Sequence, residues 1–173
     1  MESVLLYNKD NLSIVSCVSI PVGSGVTLST EEGRNIMKTA LMKTAGIHRR
    51  HADEYDMIPI NGVFLNSEGK RFFKIIMENG DAVAVQKPRL EIKSSTTSPS
   101  SSEIFTITIE IENSIEGEVY NSVNLMINDL EVEMPIENYK CVKDIQLEDP
   151  GEYTFTIDDD RFLPVNPVIV EVS

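Results

Sequence analysis

Residues 48–56, His48-Arg49-Arg50-His51-Ala52-Asp53-Glu54-Tyr55-Asp56, concentrate the side chains best suited to chemistry. Two His three apart on a helical turn point the same way, and Asp53 with the acids after it supplies a carboxylate for a metal site or a general base. The spacing is HxxH followed by acids, not HExxH, and Arg49 and Arg50 place two positive charges beside any cation. His48 and His51 are also the only His in the chain. Charge runs of this kind usually form solvated surface. The segment is therefore expected to be a charge-paired loop or short second helix, with His48, His51 and Asp53 as metal candidates and no metal assigned.

Asp158-Asp159-Asp160 is the second cluster. Carboxylate oxygens gathered in a loop hold calcium, which takes about six to eight oxygen ligands. Asp144, Glu148 and Asp149 lie elsewhere in sequence, so an exposed acidic turn is the default reading and no cofactor is expected, with calcium as the one candidate. Gly23-Ser24-Gly25 precedes a helix, where anions are attracted, yet it lacks the Lys and the glycine spacing of a phosphate loop. Turn geometry explains it better. No G-x-S-x-G pattern is present.

The elements that must position these groups follow from composition and periodicity. The chain has 173 residues, a net charge of −13 and 41% hydrophobic residues, ordinary for a globular protein of one domain or two small ones. An acid excess of this size disfavours nucleic acid, whose binding draws on Lys and Arg. Cys17 and Cys141 are too few and too far apart for a disulfide framework or a CxxC zinc module. No secretory signal is readable in residues 1–10, and Leu12 to Val22 is too short and too interrupted by Ser and Pro to cross a membrane. Synthesis in a cytoplasm is expected, with both Cys reduced, buried and inert.

The charge is unevenly spread: residues 1–86 carry net −1 and residues 87–173 net −12. This shift marks two modules, divided near Gln86-Lys87. In the first, Val4 to Tyr7 and Ser13 to Ile20 read as a hairpin around Asn8 to Asn11. Ser29-Thr30-Glu31-Glu32 reads as a capping box with Ser29 as acceptor, followed by a helix over about 30–45 with Ile36, Met37, Ala40, Leu41 and Thr44 at helical spacing and Gly46 as its left-handed cap. Val63 to Asn66, Arg71 to Met77 and Ala82 to Gln86 read as a three-stranded meander turning at Ser67-Glu68-Gly69 and at Asn79-Gly80. Arg71 to Ile76 carries apolar residues for both faces, which implies a strand covered on both sides. The first module is thus a small α+β domain of order ββ-α-βββ.

The second module alternates apolar and polar residues with strand period at 105–109, 123–127 and, more loosely, 142–147, with further short strands at 131–136, 153–157 and 168–172. That spacing indicates an all-β sandwich. Here a family resemblance appears. Asp149-Pro150-Gly151-Glu152-Tyr153, followed by Thr154 to Ile157, resembles the D-x-G-x-Y corner of immunoglobulin-like domains, in which the Tyr returns its hydroxyl to upstream backbone. Pro88 to Ile92, a Ser/Thr/Pro-rich stretch and Glu103 to Ile109 resemble the A strand, A–B loop and B strand of bacterial and phage modules of this type. The resemblance implies that Ser94 to Ser102, SSTTSPSSS, lies inside the sandwich and is no linker. It also implies that apolar packing replaces the antibody disulfide, because Phe155 stands where the second Cys would fall and the chain has no Trp for strand C.

These readings lead to a non-enzymatic structural or interaction protein with two domains, 1–86 a small α+β docking or assembly domain and 87–173 an acidic immunoglobulin-like β-sandwich. By analogy of fold, the expected setting is a phage virion, as a tail, connector or capsid-decorating protein attached through its N-terminal domain. Its expected partners are other virion or assembly proteins and further copies in a homo-oligomer or ring, with no nucleic acid and no membrane. One alternative is a carbohydrate- or cell-surface-binding module, against which the scarcity of aromatics (6%, no Trp) argues. The other is a metal-dependent enzyme using His48, His51 and Asp53.

Overall fold

The computed structural model describes residues 2–21, 27–64 and 66–173. The protein is mostly β, built from several antiparallel sheets. It divides into two compact units, Met1–Gln86 and Lys87–Ser173.

Unit 1 is organised around β1 (Glu2–Asn8), the middle strand of an antiparallel sheet between β2 (Ile14–Ser19) and β3 (Tyr55–Asn61). The run Val4-Leu5-Leu6-Tyr7 buries both of its faces. Val4 and Leu6 pack with Met37, Leu41 and Met42 of α1 (Glu31–Thr44), while Leu5 and Tyr7 pack with Cys17, Ile60 and Ile75 on the other side. The strand covered on both faces is therefore β1, not the segment Arg71 to Ile76.

The helix begins one residue later than the capping box suggests. Thr30, not Ser29, is the N-cap, and its hydroxyl accepts from the Gly33 amide at 3.1 Å. Ser29 is engaged locally with Thr27, hydroxyl to hydroxyl at 2.7 Å. At the other end Gly46 follows the C-cap with φ of +70°, and Ile47 N–H to Met42 O (2.8 Å) with Gly46 N–H to Lys43 O (3.2 Å) completes a Schellman closure. Ile36 and Ala40 face solvent, outside the stripe that Met37, Leu41 and Met42 bury.

After α1 the order departs from a meander. Residues 49–54 form a 3₁₀ helix that runs straight into β3, and α2 (Asn66–Phe72) occupies the segment expected to pass from one strand to the next. Only β4 (Phe73–Glu78) and β5 (Asp81–Gln86) pair as expected, as a hairpin whose two-residue turn puts both Asn79 (φ 52°) and Gly80 (φ 91°) in the left-handed region. The order is therefore ββ-α-β-α-ββ with a 3₁₀ turn before the third strand. Directly opposed in register, Ser3 and Ser19 stand with their hydroxyl oxygens 2.8 Å apart and both accept from the Phe64 amide (3.1 and 2.9 Å), so one hydroxyl proton joins the pair and the other reaches the backbone of the next loop, where Ser3 Oγ lies 2.9 Å from Gly62 O and Ser19 Oγ 3.0 Å from Phe64 O.

Unit 2 has two antiparallel sheets on one core. The first contains β6 (Arg89–Ser94), β7 (Ile104–Glu112) and β10 (Lys140–Gln146) in the order β10-β7-β6. The second contains β8 (Ser122–Ile127), β9 (Leu130–Pro135), β11 (Gly151–Ile157) and β12 (Val168–Val172) in the order β12-β11-β8-β9. Ile107 and Ile109 of one sheet and Val123, Leu125, Phe155 and Val170 of the other are at most 1% exposed and belong to a single cluster. Phe105 of β7 meets Phe155 of β11 edge to face, with centroids 6.0 Å apart, so an aromatic pair ties the sheets together. The Ser-rich stretch is a loop within this unit. Past β6 it runs alongside β12 in the same direction, Glu171 N–H reaching Thr97 O (2.9 Å), Ser173 N–H reaching Pro99 O (3.2 Å) and Ser101 N–H reaching Ser173 O (2.8 Å). Tyr153 donates its hydroxyl to Asp149 O at 3.0 Å.

Candidate functional site

The segment 48–56 is assembled into local structure that uses its imidazoles. His48 is the N-cap of the 3₁₀ helix, its Nδ1 accepting from the Arg50 amide at 3.2 Å. His51 is bracketed on both sides: Arg50 Nε donates to Nε2 at 2.9 Å, and Nδ1 lies 2.6 Å from Glu54 Oε1. An Nε2 that accepts from arginine leaves the ring proton on Nδ1, where it is donated to Glu54. A metal would need one of those lone pairs free. Asp53 is exposed on the same turn. Among the described residues no group of three or more His, Cys, Asp or Glu is placed to hold a metal ion.

The acidic triplet closes on arginine. Asp159 Oδ1 accepts from the Arg161 amide at 3.0 Å and from its Nε at 2.9 Å, and Oδ2 accepts from Nη2 at 2.6 Å. Burial by itself pushes the Asp159 carboxyl up, but the Arg161 hydrogen bonds outweigh it and hold the group below its ordinary value. Arg161 Nη2 also donates to Ser122 O at 2.8 Å, which fixes the loop to the start of β8, and the guanidinium stands 5.4 Å from the Phe162 ring centre. Lys87 donates to the Asp160 carbonyl; burial pushes its ammonium pKa down, while Asp160 and Asp159 pull it back. Asp158 and Asp160 are exposed, and Asp160 adds its charge to that of Asp159 on Arg161 and Lys87. The Asp159-x-Arg161 spacing was the signal for it, and the charge count of the triplet alone obscured that signal. Gly23-Ser24-Gly25 lies outside the described residues.

Both Cys are free thiols and buried. Burial, reinforced by Glu68, pushes the Cys17 thiol up to about 11, so it carries no thiolate near neutral pH.

Sequence reading missed a surface groove. It runs along the outer side of α1 toward the 3₁₀ helix, has a volume of about 620 Å³, and is lined by Glu31, Glu32, Asn35, Ile36, Thr39 and Arg49. A neighbouring hollow extends it past Lys43, Ile47 and His48. Ile36 is 54% exposed in its wall. Its charged lining is Lys43 and Arg49 toward the 3₁₀ helix and Glu31 and Glu32 at the other end.

The two outward sheet faces of unit 2 differ in electrostatics. On the β10-β7-β6 face, Lys93 Nζ bridges Glu91 (2.8 Å) and Glu110 (2.9 Å), and Lys140 reaches Glu110 at 2.8 Å. Those hydrogen bonds, from Lys140 first and Lys93 second, hold the Glu110 carboxyl down at about 2. The four strands of the other sheet contain four Glu and neither Lys nor Arg. Glu131, Glu133, Glu152 and Glu171 are all exposed, and Glu152 stands directly opposite Glu171 in the pairing of β11 with β12. Ile169, which is 52% exposed, lies opposite Thr154 beside Glu171 and Glu152, while Glu131 and Glu133 stand on the other edge strand, β9.

No protein-family model matches this chain, and no curated protein matches it either. Among the described residues, no helix is long and apolar enough to cross a membrane.

Proposed function

We propose that the protein is a non-enzymatic structural or interaction protein, a phage virion component in the tail, connector or capsid-decorating class. It attaches through residues 1–86 and displays an acidic immunoglobulin-like module, residues 87–173. The observation that carries the module assignment is the Tyr153 hydroxyl bonded to Asp149 O at 3.0 Å, the corner contact of that fold. The strand order supports it: β6, β7 and β10 fill the places of strands A, B and E, and β12, β11, β8 and β9 those of G, F, C and C′. On this reading the Phe105–Phe155 contact stands in for the B–F disulfide of antibody domains.

An interaction role is supported by what the chemistry-bearing side chains do. His51 is bonded at both ring nitrogens, Asp159 is closed on Arg161, and Cys17 is a buried neutral thiol. His51 and Asp159 thus spend their lone pairs on local structure, and Cys17 stays protonated in the core. The phage setting rests on the resemblance of residues 87–173 to bacterial and phage modules and is an analogy of fold.

The test is cross-linking mass spectrometry on particles purified from a producing culture. The reading expects this chain in the particle at a fixed stoichiometry, with cross-links to other particle proteins mainly from lysines of unit 1 such as Lys38, Lys43 and Lys70. Absence of the chain from every purified particle overturns it.

A further inference from the structure

We infer that copies of this chain associate head to tail, with the all-acidic sheet face of unit 2 of one copy seated on the basic end of the α1 groove in unit 1 of the next. This deepens the structural-protein reading and rests on it. Two separate surfaces of opposite sign carry the inference. On one, Glu152 and Glu171 stand exposed beside the half-exposed Ile169, on a sheet whose strands carry two further exposed glutamates, Glu131 and Glu133 at its other edge, and no cation. On the other, Lys43 and Arg49 line one end of a groove whose wall exposes Ile36 and whose far end is lined by Glu31 and Glu32.

The acidic face departs from what the same unit does elsewhere. Across the core, on the β10-β7-β6 face, the acids at Glu91 and Glu110 are each bridged by lysine. Opposing like charges in a sheet, as at Glu152 and Glu171, cost stability. Such a cost kept on one face, next to an exposed isoleucine, fits a surface whose counter-charges arrive with a partner. The apolar residue on each side, Ile169 and Ile36, supplies the desolvated centre, and the charges around it supply steering and register. Glu31 and Glu32 at the far end of the groove repel the same glutamates, which restricts docking to the Lys43 and Arg49 end. Because the two surfaces are different patches of one chain, the contact is heterologous, and repetition gives a ring if the rotation closes and a filament if it does not.

A charge-swap experiment on the full chain tests this by analytical ultracentrifugation. The wild type should associate with rising concentration in about 0.05 M salt and dissociate in about 0.5 M, where surface charges are screened within a few ångströms. Glu152→Lys with Glu171→Lys, and separately Lys43→Glu with Arg49→Glu, should each raise the dissociation constant by about tenfold or more. The decisive arm mixes the two variants: the reversed face of one then complements the reversed groove of the other, and association should return in the mixture alone. Unchanged far-UV circular dichroism and melting of each variant guards against misfolding. A wild type that stays monomeric at low salt, association that neither reversal weakens, or a mixture that fails to restore it overturns the inference. Particle cross-linking judges the structural-protein reading independently, since a chain that is monomeric in solution and present in the particle sinks only the head-to-tail contact.

Discussion

Gly69 is where α2 comes closest to the sheet beneath it. A Cβ built there would lie 2.5 Å from Cys17 Cβ and 2.8 Å from Leu5 Cδ2. In an open helix, glycine to alanine gains roughly 1 kcal/mol of propensity. Here the added methyl meets a Cβ fixed to the β2 backbone and a fully buried leucine, and overpacking of this kind costs about 1–3 kcal/mol. The clash wins, so Gly69→Ala should lower the urea midpoint of unfolding, and a raised midpoint would show that α2 is free to lift. Glu110 gives a prediction of a different kind. Its carboxyl is held at about 2, against an ordinary value of 4.5, by Lys140 and Lys93. A depressed carboxylate contributes stability that is present above its unfolded value and lost as pH falls toward the folded one. Between about pH 4.5 and 2 the wild type should therefore lose melting temperature more steeply than Glu110→Gln, with the two curves converging at the acid end. Parallel curves would remove Glu110 from the acid response.

The free strand edges carry their protection in sequence. Lys9 N–H to Glu54 O at 2.9 Å sets the phase of the β1–β3 ladder, so Met57 and Pro59 turn their backbones away from β1. Pro59 has no N–H, and the Met57 N–H is taken by its neighbour Asp56 Oδ1 at 2.8 Å. On β9 the bond from Ile136 N–H to Asn121 O sets the same kind of phase, and the outward positions are Glu131, Glu133 and Pro135. Both edges thus combine proline with acids, a known guard against strand addition. Pro135→Thr restores one outward N–H and should raise light scattering during prolonged incubation; unchanged scattering would mean the glutamates suffice. The same prolines explain what the sequence hid. Tyr55-Asp56-Met57-Ile58-Pro59-Ile60 has strand composition, yet a proline inside it and the charge run before it argue for a loop until the edge position is known. At 66–72, Ser67-Glu68-Gly69 imitates a turn and Phe72-Phe73 imitates strand continuity, so the helix was illegible; it is held by packing on Cys17 and Leu5, a tertiary contact. Some local chemistry, by contrast, was readable: the Schellman bonds at Gly46, the Asn79-Gly80 turn and the Tyr153 hydroxyl all involve residues within five positions of each other, whereas the Thr30 cap and the Asp159–Arg161 closure, equally local, were masked by the neighbouring Ser29 and by the run of three Asp. The groove was not readable, because it depends on where the 3₁₀ helix lies against α1.

At the scale of the molecule, the charge of −13 divides between units at net −1 and −12. The coarse division was visible in composition, and the faces that make it consequential were not, because strand pairing decides which glutamates stand together. One further property follows from the path of residues 97–101 beside β12. They run in the same direction and share three backbone hydrogen bonds, at 2.9, 3.2 and 2.8 Å. The chain enters unit 2 at Lys87, ahead of this stretch, and reaches Ser173 at the far end of β12. A tensile force applied between those two points drags the adjoining segments past each other lengthwise, so the three bonds share the load and none is peeled open in turn. Under such a load the Ser-rich loop is sheared along β12 and not unzipped from it.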